Sequence, residues 1–426
     1  MTIALLLLGL FAGLLVLRLP VAAALLLPSV IYIFTSDRLS FSVLMQQVVS
    51  GVDSFVLLAV PMFILMGSLA NASGITDRMF DAAKAALGPV RGSLSYVNIF
   101  VSLGFSWMNG SALADVAATG KIEVPMMVKN GYSRRFAVGL TGASALIGPI
   151  MPPSIPAVIY AMTASVSIGA MFLAGVGPAL LVTATLVGWV WILNRKHDHL
   201  RLPRVGPRQI ALRLLKALPA LATPVILLGG ILGGIFTPTE AAGVSVVYVF
   251  ILGLVYRSFT LKSVAEVLRS SAHSTASVMI IIGAAALFGW ILTVEGAPEI
   301  IADAVLGVVS EPWQFLLLLN LILLVLGAVM ETAALILILV PVMLPVAASF
   351  EIDPLHFGVV VVFNLMVGLL TPPLGLLLFL LRSVTEASMK DVVLGVAKFA
   401  VPILVCILLL TFVPQVTLAI PALLGL

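Results

Sequence analysis

Charge is what this chain has least of. Only 9% of its 426 residues are Asp, Glu, Lys or Arg, against 62% apolar residues, which is too little polar surface to cover a water-soluble globule. Cysteine occurs once, at Cys406 within an apolar run, so no intramolecular disulfide framework is available and inert packing is the expected role. The four histidines, His197, His199, His273 and His356, show no metal-ligand spacing, and neither an H-E-x-x-H run nor a P-loop lysine motif occurs. A hydrolytic metalloenzyme and an ATP-driven pump are therefore not indicated. Catalytic residues and organic cofactors are expected to be absent, and an intramembrane enzyme is the remote reading.

What the chain does contain is long apolar segments. Stretches near 2–17, 20–36, 52–72, 170–194, 217–236, 239–257, 275–294 and 392–414 are mostly long enough to cross a bilayer as helices, which predicts an all-α polytopic membrane protein. The first lacks a basic leader and runs into a second apolar span beyond Arg18, so it reads as a retained span rather than a cleaved signal. The formal net charge of +4 is no sign of nucleic-acid binding, because the charges cluster in short loops. The densest group, Arg195, Lys196, Arg201, Arg204, Arg208, Arg213 and Lys216, is placed in the cytoplasm by the positive-inside rule.

That loop, punctuated by Pro203, Gly206 and Pro207, is also the expected seam between two halves, 1–205 and 206–426. Each half carries one interrupted apolar segment, Gly148-Pro149-Ile150-Met151-Pro152-Pro153 and Gly368-Leu369-Leu370-Thr371-Pro372-Pro373, and the interval from Gly148 to Gly368 equals that from Pro152 to Pro372. Proline deep in an apolar span frees carbonyls that lipid cannot satisfy, so matched breaks point to a binding site between two discontinuous helices. These are expected at about 135–162 and 356–381. A topology consistent with the loop charges requires 92–128 and 313–349 to dip in and return as re-entrant helical hairpins. Lys129, Arg134 and Arg135 then lie inside, with Glu351 and Asp353 outside, so equivalent loops have opposite charge character. An inverted-topology repeat produces that pattern.

The first hairpin tip reads Trp107-Met108-Asn109-Gly110-Ser111-Ala112-Leu113-Ala114-Asp115. Its unwound carbonyls, with the side-chain oxygens of Asn109 and Ser111 and the freed carbonyls of the Gly148–Pro153 break, are hard donors able to enclose a sodium ion. A plain small-residue packing contact is the competing reading. The second tip, Met330-Glu331-Thr332-Ala333-Ala334, faces Thr371-Pro372-Pro373, and Thr332, Thr371 and carbonyls near Gly368 form the mirror set. Glu331 is expected to cap the following half-helix more than to hold an ion. Asp115 is also read as a cap, and Asn98 and Asn364 as interhelical glue. Phe236-Thr237-Pro238-Thr239-Glu240-Ala241-Ala242 reads as a sharp turn with Thr239 as a possible cap, 207–217 as an interfacial amphipathic helix, and Lys262, Glu266 and Arg269 as part of a second.

Asn109 to Asp115, Gly148 to Pro156 continuing to Ser167-Ile168-Gly169-Ala170, Phe236 to Ala242, and Gly368 to Gly375 together resemble the large transmembrane subunit of tripartite ATP-independent periplasmic (TRAP) transporters. The match runs in the family's order over nearly the whole chain. It implies a bacterial inner-membrane, sodium-coupled, elevator-type importer with no cofactor beyond the coupling ion. A small four-helix membrane subunit and a periplasmic substrate-binding protein are the implied partners, and C4-dicarboxylates, sialic acid and similar carboxylates the implied solutes. Carried over, the first sodium site uses Asn109, Ser111, Gly148, Met151 and Pro153, and the second uses Thr332, Gly368 and Thr371. Gly110, Ser154, Glu331, Thr332 and Pro373 are the candidate solute contacts. The chain departs from the family where Asn109 and Ala112 replace usual serines and Glu331 a common aspartate. A stand-alone sodium-coupled anion carrier would share the hairpins and remains the alternative.

Overall fold

A computed structural model describes residues 2–17, 19–36, 39–195 and 200–425. Among them are 21 α-helices and no strand. Arg18, Lys196, His197 and His199 lie outside the described residues.

The first half opens with α1 (Thr2–Val16), α2 (Val21–Thr35), α3 (Phe41–Val52) and α4 (Ala59–Ala72). The chain bends by 57° at the break between Val52 and Val56, which separates α3 from α4, so the apolar stretch near 52–72 begins at a bend. Then follow α5 (Ile75–Leu87), α6 (Ser93–Asn109), α7 (Ala112–Lys129), α8 (Arg134–Ala145), α9 (Ile155–Thr163) and α10 (Ile168–Asn194). The second half contains α11 (Pro207–Leu232), α12 (Pro238–Val255), α13 (Leu261–Val294), α14 (Ala297–Leu306), α15 (Pro312–Gly327), α16 (Thr332–Ser349), α17 (Pro354–Leu369), α18 (Leu376–Thr385), α19 (Met389–Ala397), α20 (Ala400–Phe412) and α21 (Gln415–Leu423).

Helix starts recur at one constant interval: α7 and α16 begin at Ala112 and Thr332, α8 and α17 at Arg134 and Pro354, α3 and α13 at Phe41 and Leu261. It is the same interval that separates Gly148 from Gly368. The local cause is visible at the caps. Ser111 accepts the Ala114 N–H at 3.4 Å, and Glu331, its equivalent in the second half, accepts those of Ala333 and Ala334. Ser133 accepts the Phe136 N–H, and its equivalent Asp353 those of Leu355 and His356. A side-chain oxygen at each position satisfies donors that a helix start leaves free.

Two expected interfacial helices are not separate elements. Residues 207–217 are the first turns of the continuous α11, and Lys262, Glu266 and Arg269 lie on the first turns of the 34-residue α13. No glycine or chain reversal intervenes, and Pro219 and Pro224 are accommodated within α11. At 1.5 Å per residue α13 is roughly 50 Å long, well beyond the hydrocarbon thickness, so its polar first turns extend past the apolar zone. Nor does Thr239 cap α12. Thr237 and Glu240 form a capping box there, and the Thr239 hydroxyl donates to the Phe55 carbonyl at 3.0 Å.

Among the described residues five helices are long and apolar enough to span a membrane, or up to seven if the α3–α4 and α19–α20 bent pairs are each one span. Only 33% of the apolar window of α11 and of α12 is buried, and Val225, Ile235 and Val247 point outward. Apolar surface on that scale needs lipid or a membrane partner. Helices α2, α3 and α4 pack on α13, α4 on α12, and α11 on α5 and α12, forming one layer. The two hairpins, α6–α7 and α15–α16, interlock with the broken helices of the opposite half: α7 packs on α18, and α16 on α9. Helices α4 and α13 meet this second body through α6 and α16.

Candidate functional site

At the first tip, α6 ends on Asn109, the chain turns through Gly110 with φ +58°, and Ser111 is extended. Only glycine suits the middle position. A side chain there would adopt a left-handed conformation, and its Cβ would overlap the Pro153 carbonyl oxygen. The Asn109 Oδ1 accepts the Ser111 N–H at 3.2 Å, and the Gly110 carbonyl accepts the Ile155 N–H at 3.5 Å. Gly148 presses against the same tip, since a Cβ on it would lie 3.4 Å from Asn109 Oδ1. Asn109, Gly110, Ser111, Gly148 and Pro153 are thus brought together, with Met151 buried in the same break. Asn109 Nδ2 is buried without a hydrogen-bond partner among the described residues. Ser154 caps α9 through the Ala157 N–H at 3.1 Å and donates its hydroxyl to the Pro149 carbonyl.

The second tip is built differently. Gly368 lies against the Gly327–Ala328 backbone, with no room for a Cβ, and the Gly375 N–H donates to the Ala328 carbonyl at 2.9 Å. The second break is therefore tied to its tip from both ends. Thr332 Oγ1 is buried without a hydrogen-bond partner among the described residues. The Thr371 hydroxyl donates to Val367 O at 2.8 Å, which leaves its lone pairs free to ligate a cation. The Pro152–Pro153 and Pro372–Pro373 peptide bonds are both cis. Whereas Gly148 to Ser154 are all buried, Pro372, Pro373 and Leu374 are exposed.

Between the tips lies a cavity of about 620 Å³. Asn109, Gly110 and Ser111 line it from the first hairpin and Glu331 and Thr332 from the second, while Pro149, Ile155 and Pro156 contribute from the first break. Gly148, Met151, Pro153, Ser154, Gly368, Thr371 and Pro373 are not on its wall. Of these, Gly148 and Pro153 press on the first tip and Gly368 on the backbone leading to the second.

Three polar contributors come from helices that carry no motif in the sequence. Ser68 and Asn71 of α4 and Ser274 of α13 close the cavity opposite the tips. Their only sequence signal is polarity inside an apolar run. A buried network between the first hairpin and α8 is equally silent in the sequence. Asn98 Nδ2 donates to Glu123 Oε2 and, at 2.9 Å, to Thr141 Oγ1, while Asn98 Oδ1 accepts from Ser144 at 2.8 Å. The glue reading of Asn98 therefore extends to a carboxylate. Asn364 likewise donates to Asn320 Oδ1 at 2.9 Å. Asp115 does not cap α7: Ser111 does, and both Asp115 carboxylate oxygens are buried without a hydrogen-bond partner among the described residues.

Paired hairpins and broken helices around one cavity inside an apolar bundle define a polytopic transport protein. The family "Tripartite ATP-independent periplasmic transporter, DctM component" matches residues 8–416, and the chain belongs to it. It is 42% identical to the sialic acid TRAP transporter large permease SiaM of Vibrio cholerae over 96% of both chains. It is 39% identical to the C4-dicarboxylate large permease DctM of Pseudomonas aeruginosa over 88% of each, and 34% identical to the 2,3-diketo-L-gulonate large permease YiaN of Escherichia coli over 96% of each. The fold is similar to the crystal structure of the Alcanivorax borkumensis YdaH transporter, with TM-score 0.58 over 98% of this chain and 99% of that one at 17% identity. The chain is a multi-pass inner-membrane transporter subunit.

Proposed function

We propose that this subunit carries an acidic organic solute inward, coupled to sodium, by an elevator movement of the hairpin body against the α4–α13 layer. The observation that carries the reading is the convergence of both hairpin tips and two helices of the opposite layer on one cavity. Sodium at the first tip would use Asn109, Ser111, Gly148, Met151 and Pro153, and at the second Thr332, Gly368 and Thr371. The donor sets fit a hard cation: hydroxyls, an amide oxygen and carbonyls released by the breaks. Bound ions would hold the tips in place, and the solute carboxylate would face helix N-termini. The two halves would be inverted repeats, 1–205 and 206–426, with the hairpins re-entrant from opposite sides. A small four-helix membrane subunit and a periplasmic binding protein would complete the complex, the latter delivering solute.

The test is uptake into proteoliposomes holding this chain, a small subunit and the binding protein, with sodium then replaced by potassium. Uptake should collapse. Undiminished uptake in potassium would remove the sodium coupling, and full uptake without the binding protein would favour a stand-alone carrier.

A further inference from the structure

A second cavity, of about 800 Å³, lies away from the hairpin tips, between the α7–α8 loop, the end of α10 and the bend that joins α19 to α20. Phe136, Trp189 and Leu193 give it apolar walls, while Tyr132, Asn194 and Lys398 supply polar groups. No carboxylate lines it, and Lys398 is its one cation among the described residues. The Lys398 carbonyl accepts the Trp189 indole N–H at 2.9 Å, which holds backbone and ring together, and its ammonium has no carboxylate within ion-pair distance among the described residues. Tyr132 is only 5% exposed, and its hydroxyl is buried without a hydrogen-bond partner among the described residues. A buried donor of that kind favours a bound acceptor. Charge around the cavity is one-sided. Segments 126–136, 189–195 and 392–402 contain Lys129, Arg134, Arg135, Arg195 and Lys398 and no Asp or Glu. Arg135 is paired with Asp391; the others add positive field.

We infer that this cavity seats an anionic phospholipid of the cytoplasmic leaflet, with its headgroup phosphate at Lys398 and Tyr132 and its glycerol and first acyl carbons along Phe136, Trp189 and Leu193. Depth supports a lipid. Trp191, two residues beyond Trp189, is 59% exposed, and paired tryptophans beside a basic loop mark a membrane–water interface on the cytoplasmic side. A basic pocket between helices at that level suits an anionic headgroup. Free phosphate shares the headgroup chemistry but gains nothing from the apolar walls. The site is also placed to matter mechanically. Lys398 stands at the 50° bend between α19 and α20, and the next residue, Phe399, packs on Phe136 of α8 with ring centroids 5.6 Å apart. Lipid held at Lys398 therefore braces that bend against α8 and α10, independently of solute and sodium.

The test is thermal unfolding of the purified, delipidated complex in neutral detergent, titrated with phosphatidylglycerol, phosphatidylethanolamine or inorganic phosphate, since a ligand of the native state raises the transition with concentration. Phosphatidylglycerol should raise it at the lowest concentration and inorganic phosphate should leave it unmoved. Lys398→Ala should weaken the phosphatidylglycerol response about fivefold in concentration, the scale of one basic side chain at an anionic lipid surface. Lys398→Gln provides a second neutral variant should the alanine protein fail to fold, and Lys398→Arg should restore the response. Lys262→Ala, at an exposed basic residue of α13 outside the cavity, should behave as the wild type. An equal loss from Lys262→Ala and Lys398→Ala would reduce the effect to general surface attraction and overturn the site. Equal responses to the two lipids would overturn the selection for an anionic headgroup, and a response to inorganic phosphate as large as that to phosphatidylglycerol would overturn the lipid.

Discussion

At Gly110 the absence of one carbon atom decides whether the first tip can form. Its φ of +58° and its contact with the Pro153 carbonyl both exclude a side chain. Gly110→Ala should cost about 1–2 kcal/mol in backbone strain alone, with the overlap added. The expected outcome is a protein that still assembles but needs a higher sodium concentration for half-maximal uptake, and unchanged sodium dependence would detach this turn from ion binding. Ser111→Ala removes the α7 cap, worth about 1 kcal/mol, together with a proposed ligand. Ser111→Gly costs the cap only a few tenths. If the hydroxyl is a sodium ligand, both variants should shift the sodium dependence equally while differing in melting temperature. A shift that follows the cap energy instead would confine Ser111 to a structural role.

Across elements, the constant interval between the halves makes each an internal control for the other. Position for position, Glu123 and Thr141 of the first half stand against Met343 and Val361 of the second. The second half therefore packs its hairpin without a buried carboxylate, and keeps only the neutral Asn364–Asn320–Thr411 chain. Removing Asn98 strips partners from Glu123, Thr141 and Ser144 at once, whereas removing Asn364 strips them from Asn320 and the Val360 carbonyl. Asn98→Ala should therefore lower the melting temperature of the complex further than Asn364→Ala. Equal losses from the two asparagine variants would mean that the Glu123 contact contributes nothing.

For the whole molecule, the breaks are legible in the sequence because proline and glycine act locally: Gly148–Pro153 and Gly368–Pro373 interrupt helices wherever the rest of the chain goes. The caps at Ser111 and Glu331 follow from the same short-range chemistry. The cavity is half legible. Its tip residues sit beside those breaks, but Ser68, Asn71 and Ser274 arrive from α4 and α13, far away in sequence, and a lone serine in an apolar helix resembles ordinary packing. The Asn98–Glu123–Thr141–Ser144 network needs three helices to be placed before any of its contacts exists. Asp115 fails as a cap because position near a helix start is not enough; the oxygen must reach the free N–H groups, and Ser111 already does.

The central claim is that solute binds in the cavity between tips held by sodium, and that this cavity changes sides. Ala117 is an exposed cavity-lining residue with no proposed ligand role, and Cys406 is the chain's one cysteine, so Ala117→Cys in a Cys406→Ser background gives a single reporter thiol. The measurement is its labelling rate with a membrane-impermeant reagent added to either face of the reconstituted complex, with and without sodium and solute-loaded binding protein. The account predicts reactivity from both faces and protection by solute only when sodium is present. Labelling from one face alone, or protection indifferent to sodium, would contradict it.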